Sequence, residues 1–232
     1  MDPWIADSLT KGSIDAVTAR ILEKYVQCVF AAPINLTGFT PAQFWDKGVL
    51  DALSLLSHSG LASASALQCV DIGSGSGLPG MVLAIMRPGW GWTLVESRAR
   101  RAEFLLNTAT LLRLDNVKVV GERAEVWVGN SPSMREHFDL VTARAVGPML
   151  TALELALPLA AIGGTIALPL GVEGVKSVAV SPVVAALGGE FRQEDAAETV
   201  SGIAIIRKMR STPHEFPRIG SKLGRFSGSN NA

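Results

Sequence analysis

The chain has 232 residues, 48% hydrophobic and 18% charged, with a formal net charge of zero, which suits one globular domain plus a small addition and excludes a disordered or fibrous protein. Cys28 and Cys69 stand far apart with no ligand-like spacing, which argues against a disulfide framework and structural zinc, so no metal is expected. The charge is uneven: from Arg207 onward six basic residues face the single acid Glu215, and a basic tail on an acidic body points to nucleic acid as a partner.

The start of the chain carries Asp2 and Asp7 and no basic-then-apolar pattern, so no secretory signal is expected and the protein reads as cytoplasmic. Ser13 to Ala32 reads as an amphipathic helix, with Ile14, Val17, Ile21, Tyr25 and Cys28 on its apolar stripe. A second helix opens with Thr40 as cap, Pro41 at the first helical position and Gln43 where a capping box needs it, and should run to about Leu56. Residues 1–66 thus form an N-terminal helical appendage or cover.

From Leu67 short apolar runs alternate with helical segments. Strands are expected at 67–72, 92–96, 117–121, 138–143, 164–170, 189–194 and 199–208, with helices at 78–87, 98–113, 147–159 and 173–187. Such alternation predicts an α/β fold with a mostly parallel sheet and helices on both faces. The last two strands leave no room for a helix between them and should form an antiparallel hairpin at the sheet edge. A seven-stranded sheet with that C-terminal hairpin is the Rossmann-like layout of class I methyltransferases, and it places a domain at 67–210. Residues 155–172 carry no charge, but Pro158, Gly163-Gly164 and Pro169 break them into a helix end, a glycine turn and a buried strand, so no membrane partner is expected. The Pro-, Ser- and Gly-rich segment 211–232 reads as a basic, extended or flexible tail.

The chemistry concentrates in Val70-Asp71-Ile72-Gly73-Ser74-Gly75-Ser76-Gly77-Leu78-Pro79-Gly80, where an apolar run ends in an acid and a glycine loop. Glycines let a ligand lie against bare backbone. Two patterns overlap here. Gly75-x-Gly77-x-x-Gly80 fits the dinucleotide fingerprint, and Asp71-x-Gly73-x-Gly75-x-Gly77 fits the loop for S-adenosylmethionine (SAM). A pyrophosphate wants helix N–H groups and no adjacent carboxylate, whereas SAM is a cation, so Asp71 favours SAM unless it only caps the turn. Glu96, ending the second strand, can accept both ribose hydroxyls of either cofactor. Arg123-Ala124-Glu125 follows the third strand, where an adenine edge or an ordinary helix start belongs.

These residues resemble the GidB (RsmG) family of bacterial 16S rRNA guanine-N7 methyltransferases. The resemblance is carried by Gly77-Leu78-Pro79-Gly80, Asn35-Leu36-Thr37, Leu94-Val95-Glu96-Ser97, Phe138-Asp139 with Ala143-Arg144-Ala145, and Thr212-Pro213-His214-Glu215-Phe216-Pro217-Arg218. It implies a SAM site using Gly73, Leu78, Ala124, Glu125 and Arg144, with Arg144 also facing the target base as the catalytic residue, and 16S rRNA or a small-subunit precursor as partner of a monomer. Arg98, Arg100, Arg101 and, in the basic tail, Arg218 are the candidate phosphate contacts, against the alternative of solvated charges. The chain departs from the family at Lys47-Gly48 and Asp51-Ala52, where Arg-His and Asp-Ser are usual, and at Pro169, where the family has Lys. A diverged methyltransferase acting on a small molecule or another RNA, and a non-catalytic RNA-binding assembly protein, therefore remain open readings.

Overall fold

In the computed structural model, which describes residues 14–192 and 202–226, the strands are β1 (Gln68–Ile72), β2 (Gly91–Val95), β3 (Val117–Val120), β4 (Phe138–Ala143), β5 (Ala160–Pro169), β6 (Gly189–Arg192) and β7 (Ile203–Lys208). They form a seven-stranded sheet in the order β3-β2-β1-β4-β5-β7-β6. The pairs from β3 through β5 are parallel, and β7 runs antiparallel to both β5 and β6. The expected hairpin is present, with its second strand inserted between β5 and β6. The expected strand residues 193–194 and 199–201, and the tail beyond 226, lie outside the described residues.

The helices are α1 (Ala16–Ala31), α2 (Pro41–Phe44), α3 (Asp51–His58), α4 (Gly80–Met86), α5 (Ala99–Leu112), α6 (Ala124–Asn130), α7 (Met149–Ala156), α8 (Gly171–Ala179) and α9 (Pro182–Ala186). Successive strand residues point to opposite faces, so the sheet carries two cores. Cys69, Leu94 and Leu140 pack with Leu22, Tyr25, Phe44, Leu55, Met81 and Leu105. Val70, Val95 and Val141 pack with Trp127, Leu153, Val178 and Val184. From residue 14 on, the segment expected to be an appendage or a cover packs as a cover that shares one of these cores. Among the described residues no helix is long and apolar enough to cross a membrane.

Several local expectations are corrected. On α1 the buried face is Ala19, Leu22, Tyr25, Val26 and Val29, and Val17 is 66% exposed; at 3.6 residues per turn the helix docks roughly 100° away from its expected stripe. Asp15 caps α1 through the Thr18 N–H, and Thr40 and Gln43 form the reciprocal capping box of α2. The helix beyond widens into a π-turn at Trp45–Leu50 before α3, and such turns cluster at functional sites. There Gly48 sits against Leu78 of the glycine loop: a Cβ on it would lie 2.9 Å from Leu78 Cδ1. The single helix expected at 173–187 is two, because Ser181 caps a new start at Pro182. Gly163 (φ +83°) and Gly164 do turn the chain, but as a bulge inside β5: residues 161–164 face Asp139 alone, and Gly164 approaches the Phe138 and Ala161 carbonyls.

The tail is the largest correction. Thr212 is buried, and its N–H donates to Glu136 Oε1 at 2.8 Å. The Arg135 guanidinium donates to the Thr212, Pro213 and Phe216 carbonyls. Arg218 donates to both oxygens of the fully buried Glu154, at 2.8 and 2.7 Å, and its guanidinium carbon lies 4.8 and 4.5 Å from the ring centres of Phe216 and Phe226. Residues 211–226 are thus a docked strap, because their orphan backbone groups find charged partners on the body. Burial works to raise the Glu136 and Glu154 carboxyls, and the hydrogen bonds from Thr212 and from Arg218 outweigh it, leaving both below the usual 4.5. A carboxyl depressed on folding stabilises the fold above its unfolded value and loses that contribution as pH falls through the folded value. Stability should therefore drop as pH falls below about 4.5, and Glu154→Gln should flatten that drop in acid-unfolding curves.

Candidate functional site

The C-terminal ends of β1, β2 and β4 open onto a cavity of about 270 Å³. Its floor is the Ile72-Gly73 turn, one side is Glu96, Ser97, Arg98 and Arg101, and the other is Ala145, Val146 and Thr151. Glu122 to Glu125 close the far end, with Leu155 and Leu223 as apolar wall. This is the crevice beyond the strand ends where open α/β sheets bind ligands.

Glu96 is its best-built group. It is 5% exposed, its Oε2 accepts from the Gly75 N–H at 2.9 Å, and its Oε1 accepts from the Arg98 N–H at 2.8 Å. A carboxylate has about four acceptor positions, so two stay open to the cavity for a diol. Glu125 is nearly buried at the start of α6, with Arg123 Nε 2.6 Å from its Oε1. Gly73 (φ +67°) lines the floor, and its missing side chain leaves room for Val146, whose Cγ1 would lie 2.4 Å from a Cβ there. A buried carboxylate beside exposed backbone, flanked by apolar walls, fits a nucleoside-type cofactor such as SAM.

Of the expected cofactor residues, Gly73, Glu96, Ala124 and Glu125 come together here. Asp71, Gly75, Gly77, Leu78 and Arg144 do not line the cavity. Asp71 is fully buried; its oxygens accept from Thr142 Oγ1 at 2.7 Å and from the Gly80 N–H at 3.3 Å. Burial pushes its carboxyl up to about 6 against the hydrogen bond from Thr142. Asp71 is therefore corrected from a ligand contact to a brace that ties the loop to α4. Gly75 acts through its N–H on Glu96. Gly77 (φ +103°) is filled from outside, and a Cβ on it would meet Met81 Cβ at 2.8 Å and the Tyr25 hydroxyl at 3.0 Å. That hydroxyl, held protonated by burial, donates to the Ser76 carbonyl at 2.9 Å and ties α1 to the loop. The Leu78 side chain packs in the core toward Gly48.

Arg144 follows β4 but turns to the N-terminal cover, donating to the Lys47 carbonyl at 2.6 Å with its guanidinium 5.8 Å from the Phe39 ring centre. The arginines expected to hold phosphate are separated. Arg101 lines the cofactor cavity, whereas Arg100 lies on a separate groove with Pro33, Ile34 and Phe104. Adjacent residues on a helix do not share a face. Arg218 is corrected to a structural residue, since all its guanidinium nitrogens are committed to Glu154 and the Arg225 carbonyl. Arg98, expected with Arg100 and Arg101 as a phosphate contact, lines the cavity beside Arg101. Sequence reasoning missed Val146, Thr151 and Leu223. Val146 stands two residues after Arg144 and was within reach of that signal; Leu223 had none.

Comparison with known proteins agrees with this geometry. The family model described as "rRNA small subunit methyltransferase G" (GidB) matches residues 18–177. A relative from Symbiobacterium thermophilum named "Ribosomal RNA small subunit methyltransferase G" is 37% identical over 197 residues, covering 80% of this chain and 79% of its own. One of the same name from Roseiflexus castenholzii is 40% identical over 191 residues, covering 80% of each. Among solved structures, a mutant of MtNAS in complex with S-adenosylmethionine shares the fold, with a TM-score of 0.54 at 17% identity over 82% of this chain and 73% of that one. A family match across most of the sheet, with relatives similar over about four fifths of their length, places this chain in the GidB family, rRNA small subunit methyltransferase G.

Proposed function

We infer that this chain transfers a methyl group from SAM to N7 of a guanine in 16S ribosomal RNA, acting in the cytoplasm as a monomer on the RNA or on a small-subunit precursor. The observation that carries the reading is Glu96, braced by two backbone N–H groups beside the bare backbone of Gly73 in a member of this family. Glu96 would hold the ribose hydroxyls, and Ala124-Glu125 the adenine edge. The bound cofactor supplies an electrophilic methyl group on a sulfonium. N7 of guanine offers a lone pair and has no proton to lose, so the protein needs no general base. What its residues contribute is position: groups must be held about 3–3.5 Å apart and in line. The target base has to leave its stack to reach such a site. Arg144, at the end of β4 against Lys47 and Phe39, is the residue assigned to hold it.

Purified protein with methyl-labelled SAM and small ribosomal subunits should place label at one guanine of 16S rRNA as 7-methylguanosine. Label only in small molecules of a metabolite extract would overturn the RNA reading. Arg144→Ala should lower turnover by roughly a hundredfold while S-adenosylhomocysteine (SAH) binds within about threefold of wild type, if the guanidinium serves the base. Equal loss of both would make Arg144 a cofactor residue.

A further inference from the structure

The end of the described chain takes a directed path. Lys208, closing β7, is fully buried and donates to the Leu157 carbonyl at 2.6 Å and to Thr212 Oγ1, just beyond the C-terminal end of α7. Ten residues on, Arg218 meets Glu154, one turn back along α7. Gly224 then donates its N–H to Glu154 Oε2 at 2.7 Å, and a Cβ on it would touch Thr151, nearer the start of α7. The strap thus climbs α7 from its C-terminal end toward its N-terminal end, from β7, the strand next to the sheet edge, to the cavity. At the top it delivers Leu223 into the cavity wall beside Leu155 and Thr151.

We propose that residues 212–226 complete the SAM pocket, with Leu223 a cofactor-contacting side chain and the Glu154–Arg218 clasp its positioning device. The proposal rests on the cofactor reading above and adds to it a binding residue from a segment beyond the family match, which ends at residue 177. Three observations support it. Leu223 is partly exposed yet lines the cavity that holds Glu96 and Ala124. The residues on either side of it are held by one carboxylate: Glu154 takes Arg218 before it and Gly224 after it, and so fixes its approach. The guanidinium of that clasp is itself faced by Phe216 and Phe226, whose rings are stacked with centres 5.6 Å apart, which sets the plane of the Arg218 fork. An apolar side chain at this place suits the flat face of a nucleobase. A ligand that touches the strap binds the docked form more tightly, so occupancy and docking must favour each other to the same degree.

The test is SAH titration by calorimetry on the full chain, with amide hydrogen exchange followed at Gly224. Leu223→Ala should weaken SAH about fivefold to tenfold, the loss expected for removing most of a buried leucine contact, while the unliganded protein melts near wild type. Leu223→Met should restore most of the affinity. Arg218→Lys keeps the charge but loses the planar fork, and should weaken SAH although Leu223 is intact. Saturating SAH should slow exchange of the Gly224 amide in the wild type. Wild-type affinity in Leu223→Ala, or Gly224 exchange indifferent to SAH, would overturn the proposal even if the variant melts lower. A wild-type chain that binds no SAH would overturn the cofactor reading itself.

Discussion

Glu96→Ala should weaken SAM and SAH binding by about a hundredfold or more. The estimate takes two lost hydrogen bonds from the ribose to a charged group, at ~1.5 kcal/mol each, and every 1.4 kcal/mol is about tenfold. A second effect adds to it. In the folded chain Glu96 also receives the Gly75 and Arg98 N–H groups, so its loss unbraces the glycine loop and the start of α5 together. Glu96→Gln separates the two contributions. An amide keeps the size of the carboxylate but presents one NH₂ where an acceptor is required, so it should fall between alanine and wild type. Calorimetry on the three proteins is the check. Equal affinity in all three would remove Glu96 from the cofactor site and with it the main support for the nucleoside reading.

Gly77→Val should cost stability rather than affinity. At φ +103° a β-branched residue is strained, and its Cβ would lie 2.8 Å from Met81 Cβ and 3.0 Å from the hydroxyl of Tyr25. Neither neighbour can retreat easily, because Met81 is fully buried on α4 and the hydroxyl is bonded to the Ser76 carbonyl. Backbone strain and overpacking of ~1–3 kcal/mol each suggest a loss of about 3 kcal/mol or more. In a chain of this size that is a fall in melting temperature of roughly 6–12 °C. Gly75→Ala is the internal comparison. A Cβ at Gly75 meets its nearest atoms, on Arg101 and Gly73, only at 3.7 Å, so the cost should be the left-handed conformation alone, about 1–2 kcal/mol. Melting curves that rank the two variants in the opposite order would contradict this account of the loop.

The contrast between these glycines shows what was legible in the sequence. Strand-helix alternation, the capping box at Thr40 and the acid ending the second strand are local signals, and they placed the sheet, the cap and the position of Glu96 just beyond β2. The spacing of glycines marks a loop but not which of its members line a cavity: Gly73 does so while leaving room for Val146, whereas Gly77 lies away from it and makes room for Tyr25 and Met81. Asp71 shows the same limit, since an acid before a glycine loop reads identically whether it meets a ligand or, as here, Thr142 and Gly80 from within. The tail was misread because its composition is that of disorder. Its order comes from Arg135, Glu136 and Glu154, which stand 64 to 81 residues away and leave no trace in local pattern. The approach of Leu78 to Gly48 in the π-turn is likewise a tertiary contact, 30 residues apart in sequence and without a local signal.

The position of β7 between β5 and β6 has a consequence for how the chain is made. On the ribosome β6 emerges before β7, yet it has no place in the sheet until β7 exists to bridge it. During that interval β5, ten residues long with Ile166 and Leu168 awaiting cover, is an unprotected edge open to any passing strand. The fold is therefore most exposed to misassembly late in synthesis, and a message truncated before residue 203 would yield a chain whose longest strand is left unpaired on one side.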